Sequence, residues 1–439
     1  MTVLAACLAL SSLLWGVGAV RPGRDEALHT GISRRWPILS EYEHRSMAEL
    51  VKTKGYPLEE HFVTTSDGYV LGTYRIPHGR EGASPGPTPR RPVLLQHGLL
   101  DSSATWVLND PDQSLALILA DAGWDVWLGN SRGNAYSRNH TGLGPDTAAF
   151  WDFSFDDMAA ADLPALTAHV QGVTGCATLA YVGHSQGTTV ALAALSTQGA
   201  LRAALRPVVL LAPAVSLRHI QSIPMLTLAR LQADQFFAML GVFEFMPSRE
   251  ATAALFEELC QATPTACVSV LTAVCGFSDR NVNASRLSHY VTYAPSGTST
   301  RNVAHWAQAV RAAQAAPRGT LALTMYDWGG SCVSPLGRPQ TCNRRVYGRE
   351  QPPTYDLARL EGVPLAVVWG GEDKLADPLD VRRLLYVLPQ ASLKLAVATP
   401  PRTGCTPLYC ACCSNGPSEC WVTATCAHCI RSLYTELLL

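Results

Sequence analysis

The chain has 439 residues, of which 47% are hydrophobic and only 16% are charged. This balance excludes a mostly disordered chain, because disorder needs few apolar residues and a large net charge. The 34 Lys and Arg residues and the 35 Asp and Glu residues leave a formal charge of -1. Nucleic acid is therefore not an expected partner. The length suits one large domain, or a domain with an inserted lobe.

The first predicted element is an apolar run without charges from Val3 to Val20. It ends in small residues at the spacing that a signal peptidase recognises. A transmembrane anchor is the alternative, but the run is barely long enough and contains glycine and serine. We predict that residues 1–20 are a cleaved signal peptide, which leaves no stable transmembrane anchor. Asn139 and Asn283 each begin a glycosylation tripeptide. Both features indicate the secretory pathway, with a lysosomal or extracellular destination.

Short apolar runs then follow one another, each ending in a turn signal. They are Val93–Gln96, Trp124–Leu128, Leu179–Val182, Val208–Leu211 and Pro364–Trp369. Leu115–Ala122 and Thr188–Leu205 are predicted helices between them. Such runs, buried on both faces, are typical of a parallel sheet. The fold class is therefore predicted to be α/β, with a mostly parallel central sheet and a functional site at the carboxyl ends of its strands.

The segment 214–320 is too long to be a single crossover. Helical patches at Ile223–Leu240 and Ala251–Leu259 predict that it forms an inserted helical lid or cap. The α/β core then comprises residues 21–213 and 321–394. The low charge of the chain and the apolar insert suit a lid that opens onto a lipid surface.

Residues Gly183–Gly187 read G-H-S-Q-G, a G-x-S-x-G pentapeptide placed directly between a predicted strand and a predicted helix. That setting is required for a nucleophile elbow, in which a sharp turn exposes the serine hydroxyl. A Cβ at either flanking glycine would collide with the neighbouring strand or helix. Ser185 is therefore the predicted nucleophile.

A serine hydroxyl needs a base, and the base needs an orienting acid. Asp373 follows the last apolar run and is the predicted acid. Asp377 and Glu372 are alternatives that better fit a helix cap and a surface charge.

The oxyanion that forms on the attacked carbonyl needs amide donors. Gln186, the residue after the nucleophile, supplies one predicted donor, and Leu99 in the loop after Gln96 supplies the other. His97 is interpreted as a structural residue of this loop, because the triad histidine of such folds comes last in chain order.

Further segments occur in an order that is specific to one family. They are Gly55–Pro57, Asp67–Tyr69, Arg75–Gly79, Leu95–Leu100, Ala122–Gly133, Tyr181–Thr188, Cys275–Phe277, Pro295–Ser299, His305–Trp306, Tyr326–Gly329 and Gly370–Pro378. Together they resemble the acid lipase family, the lysosomal acid lipase and gastric lipase type of α/β-hydrolase.

The resemblance implies an α/β-hydrolase fold with a mobile lid and no metal or organic cofactor. It implies hydrolysis of carboxylic esters of neutral lipids, triacylglycerols or cholesteryl esters, at an interface. The same roles follow for Ser185, Asp373, Leu99 and Gln186. The resemblance also implies a disulfide between Cys260 and Cys267.

The resemblance ends near Lys394, and residues 395–439 form an atypical cysteine-rich tail that holds half of the 14 cysteines. The family carries its catalytic histidine in an H-x-D-F segment that would fall near residue 403. No such segment exists here, and His428 is the only later histidine.

Three interpretations of the tail are open. A translated intron or frameshift would leave the chain without its base and its last strand. Alternatively, His428 serves as the base from a rearranged loop. The third is a zinc site at two C-x-x-C pairs, although cysteines of a secreted chain sooner form disulfides.

The sequence thus predicts a secreted or lysosomal serine lipase that acts through an acyl-enzyme. Two alternatives stay open. One is a catalytically impaired lipid-binding homologue, favoured by the missing histidine motif. The other is an esterase that acts on soluble substrates.

Overall fold

The fold is described from a computed structural model. It describes residues 45–82, 90–230, 241–246, 286–317, 319–321, 323–329, 331–333 and 339–399. The predicted signal peptide lies outside these residues.

The strands are short, and five of them coincide with the five apolar runs of the sequence. Within the described residues they are β1 (Glu59–Thr64), β2 (Tyr69–Ile76), β3 (Pro92–Gln96), β4 (Asp125–Gly129), β5 (Asn139–His140), β6 (Leu179–His184), β7 (Leu205–Leu211), β8 (Glu244–Phe245), β9 (Thr298–Ser299), β10 (Ser331–Val333), β11 (Pro339–Thr341), β12 (Leu365–Gly370) and β13 (Leu393–Thr399).

Nine of these strands form one sheet in the described part of the chain, in the order β1-β2-β4-β3-β6-β7-β12-β13, with β5 paired to β2. The pairs from β4 to β13 are parallel, and the pairs made by β2 are antiparallel. The predicted α/β class with a mostly parallel sheet is confirmed. The carboxyl ends of the parallel strands meet at one edge of the sheet.

Helices connect the strands and cover the sheet. The described α-helices are α1 (Met47–Lys52), α2 (Leu115–Asp121), α3 (Phe155–Asp157), α4 (Leu163–Thr174), α5 (Gln186–Thr197), α6 (Gly199–Ala204), α7 (Ile223–Arg230), α8 (Leu287–Tyr293), α9 (Thr300–Ala315), α10 (Cys342–Tyr347) and α11 (Pro378–Val387). A π-helical turn, Met158–Asp162, joins α3 to α4, and 3₁₀ turns lie at Ser103–Trp106, Ala148–Trp151 and Leu357–Leu360.

The sheet buries apolar side chains on both faces. Leu94 of β3 and Trp127 of β4 belong to one core cluster, whereas Val93 and Val126, their neighbours in sequence, belong to another. This alternation follows from the two-residue period of a strand. Strands that are apolar at every position are therefore explained by a sheet that is covered on both sides.

One predicted helix differs from the structure, and the last strand was not predicted. The helix predicted over Thr188–Leu205 is two helices, because Gln198 between α5 and α6 adopts an extended conformation, with φ −118° and ψ 108°. The last strand is also present: β13 pairs with β12 in parallel from Leu365↔Leu393 to Gly370↔Thr399. The sheet therefore includes residues 395–399 of the predicted tail.

Within segment 214–320 the structure describes residues 214–230, 241–246, 286–317 and 319–320, which contain α7, α8 and α9. Helix α9 is fixed near its C-terminal end by Arg218, whose Nη1 donates to Ala316 O at 2.7 Å and to Ala313 O at 3.1 Å. Trp306, in the first half of α9, belongs to the main core cluster. Helix α9 thus packs as part of the core, although it lies inside the predicted insert.

Candidate active site

A sharp turn between β6 and α5 carries Ser185 at the carboxyl edge of the sheet. Ser185 has φ 48° and ψ −115°, and such a backbone costs a non-glycine residue about 1–3 kcal/mol. Its amide donates to Leu211 O of β7 at 3.0 Å, which ties the turn to the next strand. The residue is only half-buried. The serine therefore sits in a strained turn at the N-terminus of α5, where the helix dipole favours negative charge.

The turn depends on close backbone approaches at two glycines. A Cβ on Gly183 would lie 2.8 Å from the backbone of Gly187. A Cβ on Gly187 would lie 2.6 Å from the carbonyl oxygen of Gln96 in β3. Backbone atoms cannot move away as cheaply as a flexible side chain, so both positions require glycine, as the sequence predicted.

The loop after β3 reaches the same turn. Gly98 lies against it, because a Cβ on Gly98 would be 3.1 Å from Ser185 Cβ. Neither the amide of Leu99 nor that of Gln186 donates a hydrogen bond to another group in the part of the chain that the structure describes. The first N–H groups of a helix have no acceptor within the helix. Among the described residues, both amides are therefore donors without an acceptor, one directly after Ser185 and one in the loop that Gly98 brings against the turn.

His97 fixes the backbone of this loop. Its Nδ1 lies 2.8 Å from Gly98 O, and the Ser131 amide donates to its Nε2 at 3.0 Å. Nε2 therefore accepts, and Nδ1–H donates to Gly98 O. Burial lowers the pKa of His97 to about 4, so the ring is neutral near pH 7. Since Gly98 O and the Leu99 amide share one planar peptide group, this bond also fixes the direction of that amide.

Asp373 lies three residues after β12 and is buried. Its Oδ1 accepts from the amides of Leu375 at 2.8 Å and Ala376 at 2.9 Å. Burial raises the pKa of Asp373, and the two amides oppose that rise. Strands β6, β7 and β12 are consecutive, so at the usual strand spacing the turns after β6 and β12 are about 10 Å apart.

The two alternatives to Asp373 occupy other environments. Asp377 caps α11, since its Oδ1 accepts from Leu379 N at 2.8 Å, and its Oδ2 accepts from Gln221 Nε2 at 2.7 Å. Glu372 is exposed. The structure thus places Asp377 as a helix cap and Glu372 as a surface charge.

Several predicted residues lie outside the described part of the chain. These are His428, the cysteines Cys260 and Cys267, and Asn283. Asn139 is described, and it is exposed on β5. Thr399, where β13 ends, pairs with Gly370 of β12. Strand β13 therefore ends at the edge of the sheet that carries Ser185 and Asp373.

Sequence reasoning missed the contacts that α9 makes with the Ser185 turn. Oε1 of the Gln186 side chain accepts from Asn302 Nδ2 at 2.9 Å and from Trp306 Nε1 at 2.7 Å. All three residues are buried. The His305–Trp306 pair had been noted as a family landmark, but a sequence pattern does not show which distant residue a side chain meets.

The described ranges contain neither a candidate metal site nor a candidate membrane span. No group of three or more His, Cys, Asp or Glu side chains there could hold a metal ion. No helix there combines the length and apolar character needed to cross a membrane.

Comparison with known proteins decides the family. A family model described as "alpha/beta hydrolase fold" matches residues 91–394, and one described as "Partial alpha/beta-hydrolase lipase region" matches residues 47–110. The chain belongs to the α/β-hydrolase lipase family. The predicted resemblance is thereby confirmed.

Similar members of this lipase family are about two-fifths identical to the chain. Human lipase member K is 41% identical over 350 residues, covering 77% of this chain and 81% of the relative. Human gastric triacylglycerol lipase is 41% identical over 348 residues (78% and 82%). Human lysosomal acid lipase/cholesteryl ester hydrolase is 40% identical over 343 residues (77% and 81%). The fold and these relatives identify the chain as a carboxylic ester hydrolase.

Proposed function

We propose that this member of the family is a serine lipase of the secretory pathway, lysosomal or extracellular, that hydrolyses neutral lipid esters at an interface. The single observation that carries the proposal is the strained Ser185 turn, followed directly by the Gln186 amide and approached by the loop of Leu99, with neither amide hydrogen-bonded among the described residues. A half-buried hydroxyl near two available N–H donors suits attack on a carbonyl, because the charge that develops on oxygen is then stabilised.

The reaction runs in two halves. Ser185 Oγ attacks the ester carbonyl carbon and gives its proton to a histidine, while the Leu99 and Gln186 amides hold the oxyanion. The alcohol leaves with that proton, and an acyl-enzyme remains. Water then attacks the acyl carbonyl, passes a proton through the same histidine to Ser185 Oγ, and releases the fatty acid.

Asp373 orients the histidine in this scheme. Its turn is two strands from Ser185, a gap of about 10 Å that an imidazole between the two side chains can bridge. Chain order requires the base to follow Asp373, and β13, the last described strand, ends at this edge of the sheet. We assign the base to His428, the only histidine in that segment.

The substrate class is inferred from the relatives and the insert. Two of the relatives are named as a triacylglycerol lipase and a cholesteryl ester hydrolase. Triacylglycerols and cholesteryl esters are therefore the proposed substrates, and the 214–320 segment is the proposed lid. We propose no metal or organic cofactor, since the serine mechanism needs none.

Active-site labelling tests the proposal directly. A fluorophosphonate probe should label the wild-type chain on Ser185, Ser185→Ala should abolish the labelling, and His428→Ala should slow it strongly. Turnover should be higher on emulsified triacylglycerol than on a monomeric short-chain ester. Equal rates on both would indicate a soluble-substrate esterase instead.

A second candidate function is a lipid-binding homologue without catalysis. The absence of an H-x-D-F segment after Asp373 favours it. A folded wild-type chain that binds triacylglycerol emulsion but takes up no probe would establish this alternative and refute the lipase. His428→Ala labelling at the wild-type rate would refute only the assignment of the base.

A further inference from the structure

We infer that Asn302 and Trp306 of α9 are positioning residues. By holding the side chain of Gln186, they keep its backbone N–H in the direction required by the oxyanion. The inference rests on the proposed function. Neither residue touches the reacting atoms in the proposed scheme. Both act on them through the side chain of Gln186.

The contact is a two-donor clamp on one oxygen. Asn302 and Trp306 are four residues apart in α9, so they lie on the same helix face. Their Nδ2 and Nε1 atoms converge on Gln186 Oε1 at 2.9 Å and 2.7 Å. The Gln186 side-chain nitrogen meets Met158 Sδ at 3.6 Å. With only 3% of its surface exposed, Gln186 is fixed at both ends of its amide.

The clamp acts where the chain is strained. Ser185 immediately precedes Gln186 and has a positive φ. A strained residue persists only when its surroundings over-determine its conformation. Anchoring the next side chain restricts how the first turn of α5 can rotate, and therefore keeps the Gln186 amide directed at the space beside Ser185.

The buried side chain of Asn302 uses its hydrogen-bonding groups unequally. Its Oδ1 is buried and accepts no hydrogen bond from the described residues, whereas its Nδ2 donates to Gln186 Oε1 and to Thr298 Oγ1. An unpaired buried oxygen is unfavourable. The two hydrogen bonds that Asn302 Nδ2 donates therefore connect α9 with Gln186 and with Thr298.

The test compares two Trp→Phe variants. Trp306→Phe removes the Nε1 donor to Gln186 and keeps an aromatic ring. Trp151→Phe is the matched control, because Trp151 is also buried and its Nε1 donates to Pro145 O at 2.8 Å, a contact outside the site. Removing a whole oxyanion donor costs about 100- to 1000-fold in kcat. Misdirecting one should cost roughly 10-fold, with KM unchanged.

A double variant separates positioning from general packing. In a Gln186→Met background the acceptor of the clamp is gone, so Trp306→Phe should have no further effect on the labelling rate. Slower labelling by Trp306→Phe alone, with normal labelling by Trp151→Phe, supports the inference. Trp306→Phe labelling at the wild-type rate, or an undiminished effect in the Gln186→Met background, overturns it. If Trp306→Phe does not fold, Asn302→Ala is compared in the same way.

Failure of the proposed function is a distinct outcome. If the folded wild-type chain does not react with the probe, hydrogen exchange at the Thr188 amide decides the inference, because this amide donates to Ser185 O at 2.9 Å. Faster exchange in Trp306→Phe than in Trp151→Phe supports the clamp. Equal exchange in the two variants overturns it.

Discussion

Gly187→Ala should push the Ser185 turn and α5 away from the end of β3 in the candidate site. The added Cβ would lie 2.6 Å from Gln96 O and 2.9 Å from His97 O. Ordinary contact begins at 3.4 Å, so α5 and β3 must move apart by about 0.8 Å. Overpacking of this kind costs about 1–3 kcal/mol of stability. A shift of about 1 Å at a reactive centre can lower the rate by about 100-fold.

The assay measures thermal unfolding and fluorophosphonate labelling of the same preparations. Gly172→Ala is the matched control, since Gly172 also lies in a helix and a Cβ there meets nothing within 4 Å. The control should keep wild-type labelling and gain up to about 1 kcal/mol, because alanine favours the helix. A Gly187→Ala variant with wild-type stability and labelling would refute the close-approach argument.

Three other variants test separate contacts. Asp373→Asn should lower kcat by about 10⁴-fold, while Asp377→Asn keeps the helix cap and normal turnover; the reverse ranking would move the acid to Asp377. Arg132→Met should leave the buried Asp162 carboxylate without its partner at 2.7 Å, and urea denaturation should show a loss of about 3–5 kcal/mol; a loss below about 1 kcal/mol would contradict this. Burial raises the pKa of Asp101 to about 7, above its unfolded value of about 3.9, so the contribution of this carboxyl group to stability is lost as the pH rises from about 4 to 7. Asp101→Asn lacks that loss, and its Tm relative to wild type should increase across this pH window; a constant difference would argue against the raised pKa.

Much of the sheet could be predicted because its strands bury both faces. Leu179–Val182 and Val208–Leu211 are apolar at every position, and both lie in observed strands. Strands β1 and β2 were missed, because β1 is largely exposed, and Gly72, Thr73 and Arg75 interrupt the apolar residues of β2. Strand β13 was missed for a different reason. It lies where the family resemblance stops, and one interpretation of the tail, a translated intron or frameshift, excluded a last strand.

The site was predictable where one short segment contains its own chemistry. The G-H-S-Q-G turn is such a segment, since two glycines and a strand–helix junction determine its shape. The positions of Ser185 and Asp373 were also predictable along the chain, because each follows an apolar run that lies in an observed strand. The clamp by Asn302 and Trp306 was not predictable, because it joins residues more than one hundred positions apart and no local pattern encodes their distance.

Helix α9 is held at two places, by the bonds to Gln186 in its first half and by Arg218 at its end. It should therefore behave as a rigid extension of the sheet edge. A fluorophore attached to an exposed position of α9 would stay fixed relative to the core. Energy transfer to a second fluorophore elsewhere in the 214–320 segment would then measure the distance between that position and the core. Any opening of that segment onto lipid would then appear as a change in energy transfer between the two dyes.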